Sequence, residues 1–464
     1  MSRAPAPRRG APARGDRARP QPVAVPGLAA REAAARLLSG VLREGRPLGE
    51  QTGGLDALPP PDRARAQALA ATTLRHLGRI DDLLQEFVPR RPPAPALDAL
   101  RLATAELRID LIPPHAAVDA AVRLVSTGKG RTLAGLVNAV ARKIATAADL
   151  WDATPEAPLP DWLARPLADA WGPEAAGRIA RACRQPPPLD VTPRDPGDAD
   201  ALAGALGATR LPTGSLRLAA PGQVSALPGY DAGTWWVQDA AAALPARLLP
   251  PVAGRRVLDL CAAPGGKTLQ LAAAGACVTA LDISEARLAR LHANLARTGL
   301  AAETVTADAL EWAPEAPFDA ILLDAPCSAS GTLRRHPDLA HLPRDLGPLT
   351  RLQAALLERA WRWLAPGGTL VFCTCSLFPA EGEEQIARFL AAHPEARVLP
   401  ADPTRLGVPA DWIDARGALR TRPDFWPGSD DTGSDDGGSD AAGPNALAAG
   451  GLDGFYAACL AGPP

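Results

Sequence analysis

The chain has 464 residues, of which 47% are hydrophobic and 22% charged, an ordinary globular balance with ample apolar material for a core. At about 150 residues per domain, this length predicts two to four domains. The 49 Lys and Arg residues are balanced by 51 Asp and Glu residues. This balance excludes a protein that binds nucleic acid through bulk charge alone, so any such binding must use a local patch.

The seven cysteines are odd in number and scattered along a long chain, which is not the pattern of a small disulfide scaffold. The spacing of Cys373 and Cys375 is too tight for a zinc knuckle, and no paired Cys or His cluster completes four ligands, so we expect no metal. No apolar run approaches the roughly 18 residues of a membrane span. Residues 1–25 form a basic tail without the apolar core of a secretory signal, and we predict that they are disordered. These features predict a cytoplasmic protein with reduced thiols and no membrane contact, which we expect to be a monomer.

Residues 26–150 show helical periodicity throughout. Val118, Ala121, Val122 and Val125, for example, follow the i, i+3, i+4, i+7 spacing of one helix face. Proline-rich breaks separate the apolar stretches, because proline removes a helix donor and restricts the residue before it. We predict five or six short helices, with apolar stretches at 33–42, 69–87 and 97–111. No residue of this region indicates a catalytic role.

Residues 151–235 are less regular and predict a small α/β connector. We expect one helix over 162–183, ended by three consecutive prolines at 186–188, and short strands at 189–192, 215–218 and 235–237.

From residue 236 to 464, apolar strand candidates alternate with helical patterns, which predicts βαβ units and a parallel sheet with helices on both faces. The strand candidates are 257–260, 277–282, 304–307, 318–324 and 369–374, and the helices are 268–274, 285–298 and 349–364. Residues 427–444 are acidic and of low complexity, so we predict a disordered surface insertion there.

A glycine-rich turn follows the first of these strands, in the sequence DLCAAPGGKT over residues 259–268. Such a turn lets a ligand approach the backbone and presents free N–H groups at the start of a helix. A Walker A loop would require glycine at Cys261, and the dinucleotide pattern G-x-G-x-x-G is absent. The turn therefore fits neither a P-loop nor a classical NAD site.

Three carboxylates follow successive strands: Asp282 ends the second, Asp308 the third and Asp324 the fourth. Carboxyl ends of parallel strands line the crevice where open α/β sheets bind ligands, and a carboxylate in the position of Asp282 can accept both hydroxyls of a ribose. Any one of them alone could simply be a turn residue. All three beside a glycine-rich turn indicate a ligand site.

Two cysteines leave neighbouring strands at the same sheet edge, Cys327 in DAPCSASG after the fourth strand and Cys375 in TCS after the fifth. A lone cysteine is most often a small buried hydrophobe. Two thiols over a ligand crevice favour a chemical role instead.

These motifs together resemble the Nol/Nop/Sun family of S-adenosylmethionine-dependent RNA (cytosine-5) methyltransferases. The resemblance covers about residues 220–464, including VQDAAAAL before the first strand and GLDGFYAACL at the end, and only the insertion at 427–444 departs from the pattern. The helical region, including LVNAV at 136–140, is similar to the NusB-like RNA-binding domain. The resemblance implies an α/β fold in which a Rossmann-like methyltransferase domain follows an all-α NusB-like domain and the connector. It also implies RNA as the partner, 16S ribosomal RNA in particular.

The resemblance implies roles for individual residues. Cys375 is the nucleophile that adds to C6 of cytosine, and Cys327 assists proton removal and product release. DNA cytosine-5 enzymes take their nucleophile from the Pro-Cys motif instead, so the role of Cys375 depends on the match to the RNA family. The division of Asp324 between cofactor and base stays open. The expected S-adenosylmethionine site comprises Cys261, Ala262, Ala263, Pro264, Gly265, Gly266, Lys267, Asp282, Asp308 and Asp324.

Two other classes of function remain as alternatives. A non-catalytic RNA-binding or assembly factor would need neither the thiol pair nor the glycine-rich turn. A methyltransferase for an exocyclic amine commonly carries Asp-Pro-Pro-aromatic, whereas here Asp324 precedes Ala-Pro-Cys.

Overall fold

The computed structural model describes residues 27–126, 128–219, 222–426 and 450–462. The predicted basic tail (1–25) and the predicted acidic insertion (427–444) lie outside these residues.

The first region is a bundle of six α-helices among the described residues, in agreement with the predicted five or six. The helices are α1 (Leu28–Glu44), α2 (Pro60–Arg75), α3 (Leu77–Phe87), α4 (Ala94–Arg108), α5 (Pro114–Val125) and α6 (Ala134–Thr146). The three proline-rich breaks each place a proline in the first turn of the next helix, where its missing N–H costs no hydrogen bond. The single apolar stretch predicted over 69–87 was wrong in one respect, because the chain breaks at His76 and forms two helices there.

The connector follows as four helices, α7 (Ala148–Ala153), α8 (Asp161–Trp171), α9 (Pro173–Arg184) and α10 (Ala199–Leu206), and four strands, β1 (Leu189–Pro193), β2 (Thr209–Arg210), β3 (Leu216–Leu218) and β4 (Trp235–Val237). The strands pair antiparallel in the order β2-β3-β1-β4. The single helix predicted over 162–183 was wrong. Gly172 adopts φ 80° and ψ 156°, which no helix contains, and Pro173 then starts α9.

The last region contains an eight-stranded sheet among the described residues. Its helices are α11 (Leu244–Leu248), α12 (Gly266–Ala273), α13 (Glu285–Thr298), α14 (Leu346–Arg362), α15 (Glu383–Ala392) and α16 (Pro403–Leu406). Its strands are β5 (Arg256–Leu260), β6 (Cys277–Asp282), β7 (Glu303–Thr306), β8 (Phe318–Asp324), β9 (Leu364–Thr374), β10 (Arg397–Leu399), β11 (Leu419–Thr421) and β12 (Phe455–Ala461). The predicted helix over 349–364 ends earlier, and Leu364 already belongs to β9.

The strand order is β10-β12-β9-β8-β5-β6-β7, with β11 pairing to β12. Strands β5 to β9 are parallel, as predicted, but β10, β11 and β12 are antiparallel additions, so the sheet is mixed rather than purely parallel. The order reverses between β5 and β8, which opens a crevice beyond the carboxyl ends of the strands. The glycine-rich turn, Asp282, Asp324 and both candidate thiols follow strands at this edge.

Candidate active site

The glycine-rich turn joins β5 to α12 in a conformation that requires its glycine. Gly265 has φ 107°, and a Cβ there would lie 2.3 Å from Cδ1 of Leu291. Ala262 and Ala263 are buried beneath the turn. The absence of a side chain at Gly265 therefore lets the turn pack against Leu291 of α13 at the start of α12.

Asp282 connects the end of β6 to this turn. Its carboxylate is buried and accepts the backbone N–H of Ala263 at 3.1 Å and of Ser284 at 2.9 Å. Nη1 of Arg287 also lies 3.6 Å from Oδ2, and these contacts leave part of the carboxylate's roughly four acceptor positions open. The neighbouring Ile283 is 67% exposed, an unusual exposure for a large apolar side chain beside a buried acid.

Asp308 does not end its strand, contrary to prediction. Strand β7 ends at Thr306, and Oδ1 of Asp308 accepts the N–H of Leu310 at 2.8 Å, the bond of an Asx turn. Among the described residues, the hydrogen bonds of its side chain go to its own turn and not to the other predicted site residues.

Asp324, at the end of β8, lies between a lysine and a thiol. Its Oδ2 is 2.8 Å from Nζ of Lys267, and its Oδ1 accepts from Sγ of Cys373 at 3.5 Å. Burial alone would lower the pKa of Lys267, but the charge of Asp324, the hydrogen bond to it and the neighbouring Cys373 and Asp259 together raise that pKa. The side chain of Asp324 is 32% exposed, so the ion pair reaches the open crevice.

The two candidate thiols meet at the ends of adjacent parallel strands. Sγ of Cys327 and Sγ of Cys375 are 3.4 Å apart, and both residues are half-buried. The hydrogen bond with Cys375, together with burial, raises the pKa of Cys327 well above its ordinary value. Either sulfur can donate the hydrogen bond that joins the two thiols.

Two polar residues near this edge gave no clear sequence signal. Asp259, within β5, is fully buried, and burial raises its pKa to about 7 although Thr268 donates to Oδ2 at 2.5 Å. Glu381 is also fully buried, behind the two thiol loops. Only its position after the TCS motif could have drawn attention to it.

Among the described residues, no group of three His, Cys, Asp or Glu side chains is placed to hold a metal ion. Across the same part of the chain, every helix is too short or too polar to cross a membrane. The side chains described above at the sheet edge are thiols, carboxylates and one lysine, beside backbone N–H groups.

Comparison with known proteins assigns both halves of the chain. A family model for 16S rRNA methyltransferase RsmB/F matches residues 246–427, and a model for the NusB family matches residues 28–146. Ribosomal RNA small subunit methyltransferase B of Klebsiella pneumoniae subsp. pneumoniae is 37% identical over 413 residues, which cover 82% of this chain and 94% of that protein.

Two solved structures share the fold. The crystal structure of PH0851 has a TM-score of 0.66 and 23% identity, covering 94% of this chain and 99% of that one. NSun6 from Pyrococcus horikoshii, solved with SFG, has a TM-score of 0.51 and 19% identity, covering 65% of this chain and 98% of that one. These matches confirm the resemblance drawn from the motifs, and with it the predicted order of a NusB-like helical domain before a Rossmann-like methyltransferase domain. The chain therefore belongs to the family of 16S rRNA methyltransferase RsmB/F and is an RNA methyltransferase.

Proposed function

We propose that this chain transfers a methyl group from S-adenosylmethionine to C5 of a cytosine in 16S ribosomal RNA, through a covalent bond between Cys375 and C6. The thiol pair carries the proposal. C5 methylation needs a nucleophile at C6 and a base at C5, and these are adjacent ring atoms. Two thiols 3.4 Å apart at one strand edge match that requirement.

The residues on the glycine-rich side of the crevice fit S-adenosylmethionine. The start of α12 has no side-chain cap and can offer backbone N–H groups, Asp282 keeps acceptor capacity for a ribose diol, and exposed Ile283 offers an apolar surface for an adenine ring. When bound, S-adenosylmethionine supplies an electrophilic methyl group on a sulfonium. The related NSun6 structure was solved with SFG, an analogue of this cofactor, which supports the same assignment.

Cys375 would activate a carbon that is otherwise a poor nucleophile. Its thiolate forms a bond to C6, and the electron pair of the C5–C6 double bond moves to C5. C5 can then form its bond to the methyl carbon as the bond from that carbon to sulfur breaks. The target base must be unpaired or flipped to reach the thiols.

Cys327 would complete the reaction as the base. In this structure the pKa of Cys327 is raised, first by the hydrogen bond with Cys375 and then by burial. Bond formation between Cys375 and C6 removes that hydrogen bond, so Cys327 releases its proton to solvent more readily once the adduct exists. The Cys327 thiolate then takes the C5 proton, the double bond re-forms, and Cys375 leaves C6.

RNA affinity would reside in the NusB-like domain and the connector, with boundaries near residues 150 and 235. Arg90, Arg91, Arg142 and Lys143 are all exposed on this domain. These pairs supply the local cationic patches that a chain of near-zero net charge needs to contact phosphates.

The test is the covalent adduct. Cys375→Ala should abolish methylation and any protein–RNA band on denaturing electrophoresis, because no thiolate remains to attack C6. Cys327→Ala should still attack C6 and transfer the methyl group but stall at release, and so accumulate that band. Cys277→Ala, which removes an exposed thiol outside the site, is the matched control and should behave as wild type.

Two outcomes would overturn this assignment. A band that persists in Cys375→Ala and disappears in Cys327→Ala means that the two roles are reversed. Full activity in both variants means that the thiols only pack, and the covalent route fails.

A further inference from the structure

The loops that contain Cys327 and Cys375, called here the thiol loops, are both hydrogen-bonded to one buried carboxylate, that of Glu381. This residue ends a 3-10 turn, Pro379–Glu381, that follows the Cys375 loop, and its side chain is completely buried. Its Oε1 accepts from the backbone N–H of Ser328 at 2.9 Å, and its Oε2 accepts from the hydroxyls of Ser328 at 2.5 Å and Ser376 at 2.6 Å. Ser328 follows Cys327 directly, and Ser376 follows Cys375 directly. One carboxylate therefore bonds to the residue after each thiol.

Three further hydrogen bonds extend this link on either side. Gln353 of α14 donates to Oε1 of Glu381 at 3.0 Å and also to the carbonyl of Pro326 at 2.9 Å, the residue before Cys327. On the other side, the hydroxyl of Thr374 donates to the carbonyl of Glu381 at 3.1 Å. Glu381 thus contacts one loop on both sides of Cys375 and, with Gln353, reaches both sides of Cys327.

The four donors to the Glu381 carboxylate are neutral groups: one backbone N–H, two hydroxyls and one amide. Burying a carboxylate is costly, and it persists when hydrogen bonds fill its acceptor positions. A buried pair of apolar residues would hold the loops together at a lower desolvation cost, but it would not fix their spacing through directional bonds. The arrangement therefore favours geometric precision between the loops.

We infer that Glu381 is a positioning residue that sets the separation of the Cys327 and Cys375 sulfurs by hydrogen-bonding to Ser328 and Ser376. The inference rests on the proposed function, because a fixed separation is useful only if both thiols act on one base. It adds a residue that does not touch the substrate or cofactor. Its effect should appear in the chemical step and not in binding.

The test compares Glu381→Ala, Glu381→Gln and the matched control Glu384→Ala, whose exposed carboxylate lies three residues along the same segment. Glutamine keeps the carbonyl acceptor for Ser328 and the length of the side chain, while alanine removes every bond. Glu381→Ala should lower the single-turnover rate about 10- to 100-fold, as a misplacement of about 1 Å does. Affinities for RNA and S-adenosylmethionine should change less than about twofold, and Glu381→Gln should recover most of the rate.

A second readout reports the spacing without methyl transfer. Phenylarsine oxide, a trivalent arsenical, binds only thiol pairs in close proximity, so its capture by Cys327 and Cys375 should weaken at least about tenfold in Glu381→Ala and persist in Glu381→Gln. A variant background with the other cysteines replaced isolates this pair. Ser328→Ala, which removes one of the four hydrogen bonds to the Glu381 carboxylate, should give an intermediate loss and covers the case in which Glu381→Ala fails to fold.

Unchanged capture and rate in Glu381→Ala would overturn the inference. So would a loss of rate in Glu381→Ala that is matched by an equal loss of RNA affinity. The proposed function fails separately: if Cys375→Ala still methylates RNA while Glu381→Ala loses arsenical capture, Glu381 sets the spacing and the covalent chemistry is wrong.

Discussion

The helical domain and the sheet domain each contain a short ion pair, and these two pairs differ in their access to solvent. In the helical domain, Arg31 and Glu106 form a 2.8 Å ion pair that joins α1 to α4, with each side chain less than 5% exposed. In the sheet domain, Lys267 and Asp324 form a pair of the same length, but Asp324 is 32% exposed at the strand edge. The closed pair joins elements, whereas the open pair remains accessible to a ligand.

Topology explains the difference. Parallel strands bring the residues that follow them to one edge, so acids and thiols from distant parts of the chain meet there. The helices of a bundle distribute their ends over the surface and meet mainly along their apolar faces. We therefore expect variants of the helical domain to change stability or RNA binding, and variants of the sheet edge to change chemistry.

The connector packs against the thiol-bearing loops of the sheet domain. Leu163 and Leu167 of α8 pack with Leu333 and Leu377, which belong to the two thiol-bearing loops. Nε1 of Trp171 also donates to the carbonyl of Leu377 at 2.9 Å, two residues past Cys375. Packing in the connector should therefore matter to the chemical step, and packing within the helical bundle should not.

The largest effect is expected from removing a buried leucine, and it distinguishes packing in the connector from packing in the helical bundle. Leu167→Ala and Leu100→Ala each remove a fully buried leucine, one from the connector and one from the helical core. Each should lower the free energy of unfolding by about 2–5 kcal/mol, measured by urea denaturation. Only Leu167→Ala should also slow single-turnover methyl transfer, measured below the unfolding transition. Equal rates in the two variants would mean that the connector does not hold the thiol loops.

The next largest effect concerns Asp282 at the sheet edge. Asp282→Ala should weaken S-adenosylmethionine binding by about 1.5–3 kcal/mol, because a charged hydrogen-bond acceptor is lost. It also leaves the N–H groups of Ala263 and Ser284 without this acceptor, so Asp282→Asn serves as the milder variant. Calorimetry should show unchanged RNA affinity in both. Unchanged cofactor affinity in Asp282→Ala would remove Asp282 from the cofactor site.

A third effect is a pH dependence of stability from Asp259. Burial raises its pKa to about 7 from 3.8, so the folded state holds a proton that the unfolded chain releases. The associated stability is fully present below the unfolded pKa and is lost as the pH rises through about 7. Between pH 6 and 8 this contribution falls by about 1.4 kcal/mol. Asp259→Asn should remove that part of the pH dependence, while Asp453, whose pKa burial also raises to about 7, keeps its own part. Glu106→Gln, in the closed pair of the helical domain, should leave this pH-dependent loss unchanged, and an equally steep pH dependence in Asp259→Asn would contradict the assignment.

The smallest effect concerns exposed cations. Replacing Arg90 and Arg91 with alanine should weaken RNA binding by about 1 kcal/mol and reduce the salt dependence of log K by about 0.7–0.9 per lost phosphate contact. The rate at saturating RNA should not change. Arg388→Ala removes an exposed arginine from the sheet domain and is the control. If Arg388→Ala weakens binding as much as the double variant, RNA affinity is not concentrated in the helical domain.

Most of the strands and motifs that meet at the sheet edge were predictable from the sequence, whereas features that depend on burial were mostly not. The strands that became β6 and β8 were predicted to the residue, because apolar runs ending in aspartate are a strong pattern. Strand β12 was missed because all seven of its residues are buried, which leaves no alternation to detect. The break at Gly172 had a signal in the Gly-Pro pair, but the apolar spacing across it dominated the prediction.

The candidate site shows the same contrast between features that motifs predict and features that depend on burial. The meeting of Cys327 and Cys375 followed from two motifs after neighbouring strands. The role inferred for Glu381 depends on three-dimensional burial and on hydrogen bonds to Ser328 and Ser376, and glutamate in a Pro-Ala-Glu-Gly segment reads as an ordinary surface residue. The position of Asp308 beyond its strand was also missed, since strand ends are set by hydrogen bonding and not by composition.

Bisulfite mapping of ribosomal RNA from cells that lack this gene and carry either the wild-type chain or Cys375→Ala tests the proposed methylation most directly. One or more cytosines of 16S ribosomal RNA should resist conversion with the wild-type chain and be fully converted in the deletion strain and with Cys375→Ala. Resistance that persists with Cys375→Ala, or that does not depend on the gene at all, would contradict the proposed role of Cys375.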